Sequence, residues 1–456
     1  MESNVVKNRK MSRRDALKMM SIGTSAVILA SCAPQATETA APEEPEPTTA
    51  PVEEPTAPPT EAPKEVTLRY QNHWTKETDA HYEGMNWLYE EFGKAYPYIH
   101  IDNILNPDST ESFKKIMADC AAGDCPEIIH EGSADMWKSG YLLDLAPYLD
   151  ADPAWKNLFI PSTFFTDGAS TYGLCAEFSP MPVIWNTRIL EAAGVSDLPK
   201  TWDEFLTVCD KVKAYGKLPT SWEVGGTHQW HDIIASQPGG LDAIAANQFD
   251  SPQMREAFSR LKTFVDNKWL PDNELEITWQ ESIAFFVAEE TAFYLDGAWT
   301  IQNNIYSEGA APDLRDYVKY VPFPAVSDNG STVELKVGTP LSLSAELQND
   351  QAMLDGAITF FKFWFSEEGA KQWILLCQSP MGIYVDLSTL EGVDPGLLGH
   401  LGSQDLAQTV YTLPATPAVV ERGWDDCQSG LDTLLSGGSV DDAMATYLNE
   451  MSKYTT

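Results

Sequence analysis

Basic residues are scarce in this chain: 30 Lys and Arg stand against 67 Asp and Glu, a formal net charge of −37. A surface of that sign repels phosphate, so nucleic acid is excluded as a partner. Long apolar runs are missing too. The longest, residues 19–30, falls short of the roughly 20 residues that a membrane-spanning helix needs. There is no G-x-S-x-G elbow, no P-loop and no G-x-G-x-x-G turn, so serine-hydrolase, nucleotide-hydrolysing and dinucleotide-binding chemistry have no starting point. No paired C-x-x-C pattern and no fixed-period repeat occurs, which removes zinc-ribbon and solenoid architectures.

What is present begins with the first 64 residues. Lys7, Arg9, Lys10, Arg13, Arg14 and Lys18 precede the apolar run, the layout of a secretory leader that is cut off after export. At its end, Leu29-Ala30-Ser31-Cys32 resembles the lipobox of bacterial lipoproteins. The resemblance implies that residues 1–31 are removed, that Cys32 is acylated, and that the protein works outside the cytoplasmic membrane on a lipid anchor. Ser12-Arg13-Arg14-Asp15-Ala16-Leu17-Lys18 resembles a twin-arginine export signal, with Ala16 where that signal carries a bulky apolar residue; the twin-arginine and Sec routes both stay open. Residues 32–64 follow the lipobox as a spacer of Pro, Glu, Thr and Ala with no aromatic and one Val. Such a stretch cannot bury enough apolar surface to offset chain ordering and reads as a disordered linker.

From Glu65 onward about 390 residues remain, enough for two domains. Apart from Cys32 there are six cysteines: Cys120, Cys125, Cys175, Cys209, Cys377 and Cys427. In an oxidising compartment they can pair, and spacing singles out Cys120 with Cys125 as the local candidate disulfide. The 14 tryptophans carry more information, because an indole serves equally as core filler and as a flat ligand platform.

Hydrophobic periodicity predicts a strand at 66–70, a helix over 79–96, a strand at 99–101, a helix over 112–122 and a strand at 126–130. This β-α-β-α-β order implies a mostly parallel sheet flanked by helices, with a ligand site beyond the carboxyl ends of its strands. Further strands are expected at 172–174, 183–185, 292–295, 318–321 and 341–343. Thr201-Trp202-Asp203-Glu204 is a capping box, and Ser251-Pro252 opens another helix. Helices are also expected over 350–365 and 439–451.

Four segments carry a resemblance over nearly the whole exported chain. They are Ala121-Ala122-Gly123-Asp124-Cys125-Pro126-Glu127-Ile128; Tyr172-Gly173-Leu174 through Trp185-Asn186-Thr187 to Pro199-Lys200-Thr201-Trp202-Asp203-Glu204; Ala292-Phe293-Tyr294-Leu295-Asp296-Gly297-Ala298-Trp299; and residues 360–373 with Ser366-Glu367-Glu368-Gly369. In this order they resemble the extracellular solute-binding proteins that feed carbohydrate ABC importers. Glu127 stands where that family usually has Asp, and Cys175 where it has Pro. The resemblance implies an α/β, two-lobed, type II periplasmic-binding-protein-like fold, each lobe a mostly parallel sheet. Lobe 1 would comprise 65–178 with 338–380 and lobe 2 would comprise 179–337 with 381–456, the crossovers lying near 176–182, 335–340 and 378–384. It implies a monomer without catalytic residues or cofactor, which hands a sugar to permease subunits driven by a separate ATPase.

A sugar presents C–H faces and hydroxyl rims, so its site needs aromatic surfaces beside carboxylates or amides. Strand-end loops supply His73 and Trp74, then Glu131, and across the expected crossover Glu177; the second lobe supplies Trp222, Trp230, Trp279, Asp296 and Trp299. Trp299 is the leading candidate, since it leaves a strand through a glycine and its family counterpart is a ligand platform. Trp185, Trp202, Trp269, Trp364 and Trp373 sit on strand or helix patterns and read as core. His228-x-x-His231-Asp232 lacks a third ligand at matching spacing, so no metal site is assigned. Two other readings stand beside sugar capture: a surface-attached carbohydrate hydrolase, and the same fold binding a polyamine or other cation through its acids.

Overall fold

The computed structural model describes residues 63–74, 81–106, 109–222, 229–327, 330–413 and 427–452. The expected leader, Cys32 and the spacer through residue 62 lie outside them. Glu65–Thr456 forms one compact unit. Its strands are β1 (Val66–Asn72), β2 (Ile99–Leu105), β3 (Ile128–Ile129), β4 (Phe165–Thr166), β5 (Thr171–Met181), β6 (Val183–Asn186), β7 (Phe293–Leu295), β8 (Val318–Val321), β9 (Thr332–Leu343) and β10 (Thr409–Tyr411).

β2, β1 and β3 lie side by side in parallel register, linked through the helices His81–Ala95 and Ser109–Ala121. Strand alternation sorts the two faces of β1. Val66, Leu68 and Tyr70 enter one large core with Leu88, Phe360 and Trp364. Gln71 turns the other way, its amide donating to the Ser112 carbonyl at 3.2 Å. On that opposite face a smaller cluster of Ile116, Ile129, Met136 and Phe165 includes Cys120 and Cys125, which are joined as a disulfide. Cys175, Cys209, Cys377 and Cys427 are buried and take no part in that disulfide.

The expectation of mostly parallel sheets is corrected here. The first sheet is seven-stranded, in the order β2-β1-β3-β9-β5-β4 with β10 beside β9. β9 runs antiparallel to β3, and β5 antiparallel to β9. The second sheet, β7-β6-β8, is wholly antiparallel. The physical reason is connectivity. Parallel neighbours need a helical crossover between them; helices link the first three strands, and β9 to its parallel neighbour β10, whereas β5 passes directly into β6 and β9 returns antiparallel to β3 and β5. All four residues of β6 are buried because both faces of the second sheet are covered. Val183 and Trp185 face the second large core with Phe205, Phe264 and Phe293, while Ile184 faces Ile283, Phe286 and Ile305.

Helix boundaries follow their caps. Glu204 N donates to Thr201 Oγ1 at 3.3 Å and the Glu204 carboxylate accepts from Thr201 N at 3.2 Å, closing the capping box of the helix Trp202–Tyr215, which ends on Gly216 at φ 96. Ser251 likewise caps Pro252–Asp266 through Met254 N. Trp185, Trp202, Trp269, Trp364 and Trp373 are all buried, as their positions on strands and helices implied. No helix among the described residues is long and apolar enough to cross a membrane.

Between the two large cores three chain segments run together. Glu177 on β5 stands opposite Gly338 on β9, and Phe178 opposite Val337. Phe178 N donates to the Pro380 carbonyl at 2.8 Å, and Gly382 N to the Cys175 carbonyl at 3.0 Å. Beyond this junction Met381, Ile383, Val385 and Leu397 pack in the first core, although the expected boundary placed 381–456 with the second lobe.

Candidate functional site

The loop leaving β7 is the most organised candidate. Asp296 is 3% exposed. Its Oδ2 accepts the indole N–H of Trp279 at 2.6 Å, and its Oδ1 accepts Gly297 N at 2.8 Å. Burial pushes the carboxyl up to about 6; the bonds from Trp279 and Gly297, and after them Lys336 and Trp299, favour the charged form. Trp279 begins its own helix behind a Thr278–Glu281 capping box, which fixes where its indole can reach. Ala298 and Ile301 pack in the first core, whereas Trp299 leans half-buried on the second. Its ring lies over Gly297 so closely that a Cβ there would sit 2.3 Å from ring carbons. Ala298 N donates to Ser179 Oγ at 2.9 Å, tying the loop to the crossover strand. His400 completes the surround, its Nε2 lying 3.3 Å from the Asp296 carbonyl oxygen; burial lowers its pKa to about 4.

Glu177 occupies the junction itself. Its carboxylate meets His81 Nε2 at 3.1 Å and accepts the hydroxyl of Thr339. Thr339 has φ 42, the left-handed region, which costs a β-branched residue on the order of 1–3 kcal/mol. Trp74 is 2% exposed and stacks on His81 with ring centroids 4.5 Å apart, backed by Trp364 and Trp373. It is wall rather than open platform in this conformation. Beside it, His73 and Glu131 are half-buried and His130 is buried. Burial, then the neighbouring His73 and His81, hold His130 well below the usual histidine range.

The remaining candidates lie apart. Trp222 is buried in the second core against Phe264, its backbone N–H donating to Glu274, whose carboxyl burial raises to about 8. Trp230 stands in the helix Gln229–Ala235, but its side chain and all of His228 lie outside the described residues. His231 bonds Glu334 at 2.9 Å, and Asp232 accepts Tyr411 at 3.2 Å. Both therefore belong to a buried polar knot beneath β9.

The structure thus brings Trp279, Asp296 and Trp299 together on one side, and His73, Trp74 and Glu131 on another, with Glu177 between the segments that join them. The sequence reading missed His81, Thr339, Ser179, Lys336 and His400. Each is a single polar residue without local pattern, recruited from far along the chain. His130 had a usable signal, since it directly precedes Glu131 at the end of β3.

Residues 77–371 match the family model described as bacterial extracellular solute-binding protein. The multiple sugar-binding protein of Streptococcus mutans is 24% identical over 260 residues, covering 52% of this chain and 58% of that protein; the chain therefore spans a little over half the length of this curated relative. Solved structures of similar fold include a chitin oligosaccharide binding protein, with TM-score 0.73 and 20% identity over 86% of this chain and 99% of that one. The GacH receptor of Streptomyces glaucescens, solved with acarbose, has TM-score 0.68 and 18% identity over 85% of this chain and 97% of that one. The sugar-binding protein MalE of Xanthomonas citri has TM-score 0.62 and 19% identity over 85% of this chain and 97% of that one. These likenesses establish a mixed α/β fold of the periplasmic sugar-binding type. With eight of the ten described strands, β2 to β9, inside the matched segment, the chain belongs to the bacterial extracellular solute-binding protein family.

Proposed function

We propose that this protein is the substrate-binding lipoprotein of an ABC importer, capturing a sugar or oligosaccharide between two lobes and delivering it to a permease served by a separate ATPase. The observation that carries the reading is the Asp296-Gly297-Ala298-Trp299 loop. It sets a half-buried indole over a glycine beside a buried carboxylate, where the two large cores meet. An indole face stacks on sugar C–H groups, and a carboxylate bonds paired hydroxyls. The protein named multiple sugar-binding, a chitin oligosaccharide binding protein and a raffinose-bound binding protein among the similar chains support the ligand class.

In this reading lobe 1 is built on 65–178 with 338–380 and lobe 2 on 179–337 with the later chain, and the triple crossover at 176–182, 335–340 and 378–384 is the hinge. Closure requires contacts that both lobes make only with ligand bound, since equal affinity for open and closed states shifts nothing. Trp299, Asp296 and Trp279 form one wall, and Glu131, His73, Trp74 and Glu177 the other. The monomer is held to the membrane by lipidated Cys32, uses no cofactor and leaves its ligand chemically unaltered.

Calorimetry and thermal shift against neutral mono- and oligosaccharides test this. A micromolar sugar, worth about 8 kcal/mol, should raise the melting temperature, be insensitive to added salt, and be recovered unchanged. A response confined to polyamines and abolished by salt, or recovery of cleaved sugar, rejects the proposal.

A further inference from the structure

β1 and β3 are parallel neighbours, with Tyr70 opposite Ile128 and Gln71 opposite Ile129. Residues just past their carboxyl ends therefore emerge together. His73 follows β1, and His130 and Glu131 follow β3. The two imidazoles meet edge to face with centroids 4.7 Å apart. One nitrogen from each ring and a carboxylate oxygen of Glu131 all lie within 4.8 Å of one another.

The hydrogen bonding is incomplete in an informative way. His130 Nδ1 is bonded to the Tyr70 hydroxyl at 2.7 Å. His130 Nε2 and His73 Nδ1 are buried with no hydrogen-bond partner among the described residues. Leaving a buried polar atom unpaired is costly, and two such atoms beside one carboxylate is an arrangement that a cation would complete. In the tautomer that donates Nδ1–H to the Tyr70 hydroxyl, the lone pair of His130 sits on Nε2; an outer hydrogen bond of this kind is what orients a metal-ligating imidazole.

We propose that His73, His130 and Glu131 form a site for a borderline divalent transition ion, Zn²⁺ in type. Two imidazoles and a carboxylate suit such an ion with a fourth position left open, whereas Ca²⁺ and Mg²⁺ demand more oxygen ligands than the cluster offers. Tetrahedral ligands at about 2.1 Å stand roughly 3.4 Å apart, so binding requires the half-buried His73 and Glu131 side chains to move inward from the present spacing of up to 4.8 Å. The site shares His73 and Glu131 with the wall assigned to the sugar, but it is carried by the unpaired ring nitrogens rather than by that reading.

The test is titration of the untagged, EDTA-stripped chain with Zn²⁺ by calorimetry, and with Co²⁺ followed by visible absorption. One ion per chain is expected, with Co²⁺ giving the strong bands of a four-coordinate site. His73→Ala and Glu131→Gln should each weaken binding by roughly tenfold or more, and Tyr70→Phe by roughly tenfold, with the metal-free melting temperatures of the first two variants near that of the parent. Absence of stoichiometric binding, or binding of unchanged affinity in both His73→Ala and Glu131→Gln, overturns the proposal. Sugar titrations run with and without EDTA report separately on the carbohydrate reading.

Discussion

Trp279 donates its indole N–H to Oδ2 of Asp296 at 2.6 Å, joining the start of one helix to the loop that carries Trp299. Burial raises the pKa of Asp296 to about 6, and the bond from Trp279 opposes that rise by favouring the charged carboxylate.

That shift has a pH signature. The folded chain holds this proton more tightly than the unfolded chain, so the contribution of Asp296 to stability is most favourable below about pH 4 and declines as pH rises to about 6. Asp296→Asn keeps an oxygen acceptor and removes the slope. At about 1.4 kcal/mol per pKa unit, the variant should gain up to roughly 3 kcal/mol relative to the parent between pH 4 and 7, read from denaturant unfolding at both values. An unchanged difference between the two pH values would show that Asp296 does not titrate in this window.

His400 is expected to act with the opposite sign. Its folded pKa of about 4 lies below the ordinary 6.5, so the folded state resists protonation and stability is lost as pH falls from about 6.5 to 4. His400→Gln should gain on the parent through that interval, again by up to roughly 3 kcal/mol. Melting curves of the two proteins at pH 7 and pH 4.5 check it; parallel losses would refute it.

Gly297→Ala places a methyl group against the ring of Trp299, at 2.3 Å if nothing moves. The ring must yield, because the backbone beneath it is tied to Asp296 and Ser179. Sugar affinity is expected to fall by about tenfold or more, about 1.4 kcal/mol. Calorimetry giving parental affinity would separate the glycine from the site.

Trp299 and Trp74 should part company. Trp299→Ala is expected to cost a few kcal/mol of sugar affinity, on the scale of an aromatic anchor, while shifting the ligand-free melting temperature little. Trp74, buried against His81, Trp364 and Trp373, should cost roughly 3–5 kcal/mol of folding stability as Trp74→Ala. Unfolding and binding measured on both variants decide; a stability loss for Trp299→Ala as large as that for Trp74→Ala removes the platform role.

Cys32→Ala should leave folding intact and release the protein from membranes. Labelled fatty acid incorporated by the mutant, or its persistence in the membrane fraction, would contradict the anchor.

The parts of this protein that depend on near neighbours were legible in its sequence. Thr201 with Glu204, and Ser251 with Pro252, announce helix starts because a capping side chain satisfies backbone N–H groups within its own first turn. Alternation marked β1, and the apolar residues Val183, Ile184 and Trp185 marked β6 as a strand. The local pair Cys120 and Cys125 could be named because so few residues separate them. The sequence also marked Asp296 and Trp299 as neighbours of a strand end.

Strand direction was not legible, because it depends on how distant segments connect. β5 and β9 meet antiparallel across some 160 positions of chain, and nothing in either strand declares its partner. The same holds for side-chain roles. Trp74 and Trp299 look alike as isolated indoles after strands, yet only tertiary packing decides that one is enclosed by His81, Trp364 and Trp373 while the other lies half-buried over Gly297. Local pattern determined where helices and strands begin. Long-range contacts, which set burial and thereby the charge of Asp296, His130 and His400, were decided only when the chain closed on itself.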